Sequence, residues 1–258
     1  MSSSLQTTIR DLHRKRGRER RGLTLAEGVR LVEEALSAAI PLSGAAVSPA
    51  LEATARGRAL KAALAAAGVR LEEVTEPELE RLADTEHPQG IVAVVELPRW
   101  SLRHMQGGTG ALLVLDAVQD PGNVGTMLRT ALALGAGGVI ALTGTAELAN
   151  PKVVRGSMGA LFRLPAVATS PAELIGWAGE VGFALWVAAV DGDRLADAAA
   201  ERRDRPVAIV VGNEGAGVSA TLAAVAARRV GIPLAPEAES LNVGVAAGIL
   251  LYEVLRER

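Results

Sequence analysis

Four stretches in the second half of the chain are apolar almost without a break: ALLVLDAV (111–118), GGVIALTG (137–144), FALWVAAV (183–190) and VAIVVGNEG (207–215). A strand with one face in water alternates apolar and polar side chains, whereas a strand covered on both faces does not. These runs therefore predict parallel strands in the middle of a sheet. Helical periodicity lies between and after them, over 125–135, about 151–160, 171–182 and about 242–256. Strands alternating with helices build an α/β domain from βαβ units.

The first hundred residues carry shorter elements. LTLAEG (23–28) predicts a strand leading into a helix over 29–38, and AAV (45–47) a short strand before an alanine-rich helix over about 49–67. VRLEEVT (69–75) and GIVAVVELP (90–98) predict strands, with a capped helix over 76–84 between them. The stretch 98–110 mixes proline, glycine and polar residues, as linkers do. The expected division is a smaller α/β domain over 1–98, a linker over 99–109 and a larger domain over 110–258.

With 258 residues, 49% of them apolar, the chain can bury a substantial core. It has no cysteine, which excludes disulfides, thiolate metal sites and cysteine nucleophiles, and its three histidines are scattered. We expect no structural metal. No apolar run is long enough for a membrane span, and the start lacks the apolar stretch of a secretory signal, so a soluble cytoplasmic protein is expected. The net charge of −2 points to no partner, but residues 10–21 hold seven basic groups against Asp11 and Glu19. That run reads either as a phosphate-binding surface or as a solvated, frayed helix.

No P-loop, dinucleotide fingerprint, zinc-protease helix or nucleophile elbow is present. Three loops rich in glycine and asparagine remain, each at a strand end. The first, Asp120-Pro121-Gly122-Asn123-Val124-Gly125, opens a helix carrying Arg129; it suits an anion at a helix N-terminus, or else is a plain turn capped by Asn123. In the second, Val211-Gly212-Asn213-Glu214-Gly215-Ala216-Gly217, glycines let a ligand lie against backbone and Glu214 supplies an acid. The third runs from Ile232-Pro233-Leu234 to Ser240-Leu241-Asn242-Val243-Gly244. There Ser240 or Asn242 could cap a final helix thinned by Gly244, Ala246, Ala247 and Gly248.

In this order the three loops resemble the motifs of the SpoU (TrmH) family of RNA ribose 2′-O-methyltransferases, within the SPOUT superfamily. The matching residues are Asn123-x-Gly125-x-x-x-Arg129, Val211-Gly212-Asn213-Glu214-Gly215-x-Gly217, and Ile232-Pro233-Leu234 with Ser240-Leu241-Asn242-Val243. Residues 20–28 and His87-Pro88-Gln89-Gly90-Ile91 resemble that family's L30e-like substrate-binding domain. The family usually has an aromatic where Thr24 or Leu25 stands, a departure expected to affect packing alone.

The resemblance implies an α/β SPOUT domain with a parallel sheet and a deep trefoil knot, preceded by the smaller L30e-like domain. It implies S-adenosylmethionine as cofactor, bound at Val211, Gly212, Ile232 and Leu241, and a homodimer through the knotted domain. It also implies an RNA substrate, ribosomal RNA favoured over transfer RNA. Asn123, Arg129, Glu214, Ser240 and Asn242 would form the catalytic set. Arg129 would anchor the target phosphate and assist deprotonation of the hydroxyl, a role set against the tenacity with which arginine holds its own proton. Asn123 would orient Arg129 or the ribose, and Glu214 would contact the arginine or the nucleotide. Two rival readings stay open here: a non-catalytic RNA-binding protein of the same fold, and a SPOUT enzyme that methylates a base.

Overall fold

Leu5, Ile9 and Leu12 recur at helical spacing, and all three are buried on one side of α1 (Leu5–Leu12). The structure is a computed structural model and describes residues 4–105, 110–200 and 206–256. Residues 106–109 of the expected linker lie outside the described residues. The chain forms two compact units. The first comprises the described residues up to Arg99 together with Ala149–Arg163, and the second Trp100–Leu148 with the chain from Leu164 onward.

In the first unit α1 is followed by α2 (Lys15–Arg21), β1 (Thr24–Glu27), α3 (Val29–Ser37), β2 (Leu42–Val47), α4 (Ala55–Ala66), β3 (Leu71–Glu73), α5 (Glu76–Glu80) and β4 (Ile91–Val95). The sheet order is β1-β4-β2-β3, with β4 antiparallel to both its neighbours and β3 parallel to β2. Leu5, Ile9 and Leu12 join Leu25, Ala46, Val92 and Val94 in its core. Thr75 and Glu78 form a capping box at the start of α5, as that stretch predicts.

The basic run is neither frayed nor wholly free. Arg18 is buried, and its Nη1 donates to the carbonyls of Leu12 at 2.9 Å and His13 at 3.0 Å, closing the carboxyl end of α1 with a cation. Arg20 and Arg21 both reach Asp11 Oδ2 at 2.7 Å, and their cations hold its carboxyl below the usual range. Gly17 permits the tight junction, because a Cβ there would stand 2.1 Å from the Asp11 carbonyl oxygen. The side chains of Arg14 and Arg16 stay exposed, with no hydrogen bond or ion pair to any described residue.

The second unit contains β5 (Ala111–Leu115), α6 (Pro121–Ala133) and β6 (Gly138–Leu142). The next helix, α7 (Pro151–Gly156), departs from the expected domain 110–258 and packs with the first unit. Polar ties explain this. The hydroxyl of buried Thr24 donates to the Ala149 carbonyl at 2.6 Å, Arg155 pairs with Asp84 at 2.9 Å, and Arg163 with Glu34 at 2.7 Å. Of Thr24 and Leu25, the two positions where an aromatic is expected, Thr24 thus makes a hydrogen bond and Leu25 is buried in the core.

The second unit resumes with β7 (Ala166–Thr169), α8 (Pro171–Val181), β8 (Ala184–Arg194), α9 (Leu195–Ala200), β9 (Val207–Val211), α10 (Ala220–Val225), β10 (Arg228–Gly231) and α11 (Val243–Leu255). Six parallel strands lie in the order β10-β8-β9-β5-β6-β7. The four apolar runs are its four central strands. The edge strands β7 and β10, AVAT and RRVG, have no run to announce them because one flank of each is open. Leu112, Val114, Ile140, Leu142, Ala208 and Val210 pack with Leu174 and Trp177 of α8 on one face. Helices α6 and α11 pack against each other and against strands of this sheet. No helix among the described residues is long and apolar enough to cross a membrane.

Arg18→Ala removes the donor that closes α1 and leaves two carbonyls short of a partner. We expect a stability loss of about 1–3 kcal/mol, read as a lowered midpoint in urea with an unchanged slope. An unshifted midpoint would mean that the α1–α2 junction does not depend on this contact.

Candidate active site

Parallel pairing sets Leu115 of β5 opposite Val211 of β9, so the loops leaving these strands start side by side at the carboxyl edge of the sheet. Open α/β sheets bind ligands at that edge. The first loop enters α6 with Asp120 as its cap, the carboxylate accepting from the Asn123 N–H at 2.7 Å. Capping thus falls to Asp120 and leaves the Asn123 side chain for other partners. Its Nδ2 donates to Glu214 Oε1 at 2.9 Å, and its Oδ1 accepts from Asn242 Nδ2 at 3.1 Å.

Asn242 in turn caps α11. Its Oδ1 accepts from the N–H groups of Gly244 at 2.9 Å and Val245 at 3.3 Å. One side chain from each of the three loops is therefore joined in a single relay, Asn242 to Asn123 to Glu214. Arg129 lies farther along α6, exposed, its side chain making no hydrogen bond or ion pair with any described residue. It is not held by Asn123 or Glu214 here, and its guanidinium is open to a ligand.

The second loop folds back on itself. Asn213 and Gly217 exchange backbone hydrogen bonds at 3.1 and 2.9 Å, while Asn213 Oδ1 accepts from the N–H groups of Gly215 and Ala216 at 3.0 Å. Asn213 Nδ2 donates to the carbonyl of Ala117 at 3.1 Å, tying the second loop to the first. Buried Asp116 adds a further tie, accepting from the Ser219 N–H at 2.7 Å. A Cβ on Gly212 would stand 2.1 Å from the Gly217 carbonyl carbon, so only glycine fits there.

Beside this loop the second unit has a cleft of about 730 Å³, open mouth included. Val211, Gly212, Ile232 and Leu241, the four cofactor residues expected from sequence, all line it, as do Glu214 and Ser240. Its walls are mainly aliphatic, with Leu234, Val243 and Leu250 adding to the apolar side. Asn123 and Asn242 reach the cleft through the relay, and Arg129 is not among its lining residues.

Sequence reading missed one wall, Ala188–Val190. These residues fall where the β8–β10 register jumps, from Val187 opposite Arg229 to Asp193 opposite Val230. In sequence they merely continue an apolar run, so nothing marked them. Asn213 and Asp116 were visible as polar residues ending apolar runs, but their role in bracing the loops required the fold. Among the described residues, no cluster of three or more histidine or acidic side chains could hold a metal ion.

Residues 110–252 match the SpoU rRNA Methylase family, and residues 7–93 match the MRM3-like substrate binding domain. This chain belongs to the SpoU rRNA methylase family. A 23S rRNA (guanosine(2553)-2′-O)-methyltransferase of Bacillus subtilis is 34% identical to this SpoU-family chain over 248 residues, covering 94% of the chain and 92% of that protein. The crystal structure of the SpoU methyltransferase AviRb from Streptomyces viridochromogenes with its cofactor AdoMet aligns with a TM-score of 0.86. That alignment has 29% identity and covers 99% of both chains. An AdoMet-bound rRNA methyltransferase from Sinorhizobium meliloti aligns at 0.84 with 30% identity, over 99% of this chain and 95% of that one.

Two glycines of the second loop separate structure from mere composition. A Cβ at Gly215 would meet only Asn213 Oδ1, at 3.6 Å. Gly215→Ala should therefore melt within a degree or two of the parent, whereas Gly212→Ala should lose more than about 2 kcal/mol by displacing backbone. Equal melting temperatures for the two variants would show that the loop is not packed this tightly.

Proposed function

We infer that this chain transfers the methyl group of S-adenosylmethionine to a ribose 2′-hydroxyl in structured RNA, with ribosomal RNA as the substrate class. The observation carrying the reading is the convergence of the three family loops on one cleft, with Asn123 bonded to both Glu214 and Asn242. Full-length similarity to a 23S rRNA 2′-O-methyltransferase supports ribosomal over transfer RNA, and hence a cytoplasmic site of action.

The residues present fit the cofactor. Aliphatic walls at Val211, Ile232, Leu234 and Leu241 suit a flat base, and Gly212 lets backbone approach where any Cβ would intrude. Ser240 and Glu214 give the cleft polar groups for the ribose and amino-acid ends. The bound cofactor supplies an electrophilic methyl on a sulfonium, and the chain must align the hydroxyl and remove its proton. Alignment is worth about 7–11 kcal/mol when it replaces a free encounter.

Arg129 is the anchor for the target phosphate, its guanidinium without a partner among the described residues and its planar fork matched to phosphate oxygens. Glu214 is the carboxylate among the described lining residues of the cleft, and the bond from Asn123 Nδ2 fixes one of its oxygens. We assign it the hydroxyl proton, a transfer worth roughly 10²–10⁴-fold in rate. Asn123 and Asn242 are positioning residues that act through Glu214.

The finer features of the family enter as part of this reading. A trefoil knot at the carboxyl end is part of this reading; the glycine loop at 212–217 and the thin start of α11 at Gly244 and Gly248 are compatible with tight threading. Val245, Ile249 and Tyr252 form an exposed apolar stripe along α11, and it supports a homodimer joined through this unit. Residues 1–98 form the RNA-binding domain, with Arg14 and Arg16 as its open cations in the basic run.

Arg129→Ala should leave S-adenosylmethionine affinity near normal, because the residue is not among those lining the cleft. Methyl transfer to ribosomal RNA should fall about 10²-fold or more. Arg129→Lys should recover little of it. Single-turnover rates at saturating RNA, with nucleoside mass spectrometry to identify the 2′-O-methyl product, separate lost binding from lost chemistry. A near-normal rate in Arg129→Ala would remove this residue from the mechanism, and methylation on a base would overturn the ribose reading.

A further inference from the structure

Two stretches of the first unit, Glu27–Arg30 and Thr85–Gln89, take no part in the donor cleft, yet the structure brings them together around a second hollow. Its volume is about 680 Å³ with its mouth, and Arg155 and Met158, from the segment that packs with this unit, complete the wall. Gly28 has φ +97°, and a Cβ there would come within 3.2 Å of Gln89 Oε1. That oxygen accepts from the Val29 N–H at 3.1 Å, which fixes the side chain and leaves the amide NH₂ of Gln89 as its donor.

The acids of the hollow are already engaged. Buried Glu27 accepts from the N–H groups of Asp84 at 2.8 Å and Thr85 at 3.2 Å and from the Thr85 hydroxyl, and it pairs with Arg155 at 3.5 Å. Asp84 pairs with Arg155 at 2.9 Å. What remains is donor capacity. The side chains of Arg30 and His87 are exposed and make no hydrogen bond or ion pair with any described residue, and Arg155 Nη1, which faces Glu27 Oε2 at 3.5 Å, is a buried nitrogen without a hydrogen bond. The apolar side consists of buried Leu31 and of Met158, whose φ of 49° is a left-handed backbone that side chains rarely adopt.

A hollow with an apolar wall, occupied carboxylates and several unanswered donors suits a flat ligand whose edge is rich in acceptors. Nucleobases present ring nitrogens and carbonyl oxygens on such an edge, and only an unstacked, unpaired base can offer both face and edge. We propose that this hollow receives one unpaired nucleotide of the RNA substrate. The base lies against Leu31 and Met158, its acceptors face Gln89 and Arg155, and its phosphate is met by Arg30 and His87. The identity of the polymer rests on the methyltransferase reading above; the site itself rests on this geometry.

The test uses the full chain and two probes: a fluorescent, 4-thiouridine-substituted single-stranded RNA of about 12 nucleotides, and the same strand in a duplex. Anisotropy should show the single strand bound about tenfold or more tighter than the duplex. Irradiation should cross-link it to peptides carrying His87 or Met158. The double variant Arg30→Ala, His87→Ala, which removes no side-chain hydrogen bond or ion pair among the described residues and should keep the parent melting temperature, should lose that preference and those adducts. Equal affinity of the parent for both probes, a preference surviving in the double variant, or adducts confined to other peptides would each overturn the proposal. Calorimetry with S-adenosylhomocysteine on the same samples keeps the two readings apart. Failure to bind it would count against the methyltransferase reading, while the single-strand preference would still decide the nucleotide site.

Discussion

The parallel pairing of β5 with β9 is the constraint on which the site depends. Its register, from Ala111 opposite Val207 to Leu115 opposite Val211, sets two loops far apart in sequence at the same edge of the sheet. A slip of one residue would turn each side chain to the other face and separate Asn123 from Glu214. Both strands are wholly buried, so the register is held by core packing on two faces, a stronger restraint than the loops could impose on themselves.

Close approach is the second theme. Gly212, Gly192 and Gly231 each stand where a Cβ would overlap backbone, and Gly244 and Gly248 bring α11 near Thr126 and Thr130 of α6. Glycine weakens a helix or strand by roughly 0.5–1 kcal/mol relative to alanine. Its concentration around one cleft therefore reflects a requirement for space. A cleft walled by backbone and aliphatic groups suits a ligand with a flat apolar base, while its polar groups are few and fixed by the relay through Asn123.

The first unit handles charge differently. Most of its ions are exposed and paired, and such pairs contribute little stability. Arg18 is the informative exception, a buried cation with carbonyl partners that makes a basic run into a structural joint. Among the described residues, the side chains of Arg14, Arg16, Arg30 and His87 make no hydrogen bond or ion pair, and in the proposed reading they are open to RNA. Counting basic residues in sequence could not tell buried Arg18 from exposed Arg14 and Arg16, because it cannot separate cations engaged by carbonyls from those still open.

Read alone, the sequence determined the α/β class, the four central strands, most of the helices and the three loops that carry the family resemblance. Those features are local: apolar runs, helical periodicity and glycine-rich turns are written in neighbouring residues. It also supplied the residues that prove to line the cleft at Val211, Gly212, Ile232 and Leu241. Only the tertiary structure decided that Asp120, not Asn123, caps α6, and that Asn123 bonds Glu214 while Arg129 stands apart. The same holds for residues 149–163, which pack with the first unit, and for Ala188–Val190, which wall the cleft. Each of these depends on contacts between residues tens of positions apart. Such contacts are set by strand register and by which polar groups find partners, and no window of sequence contains them.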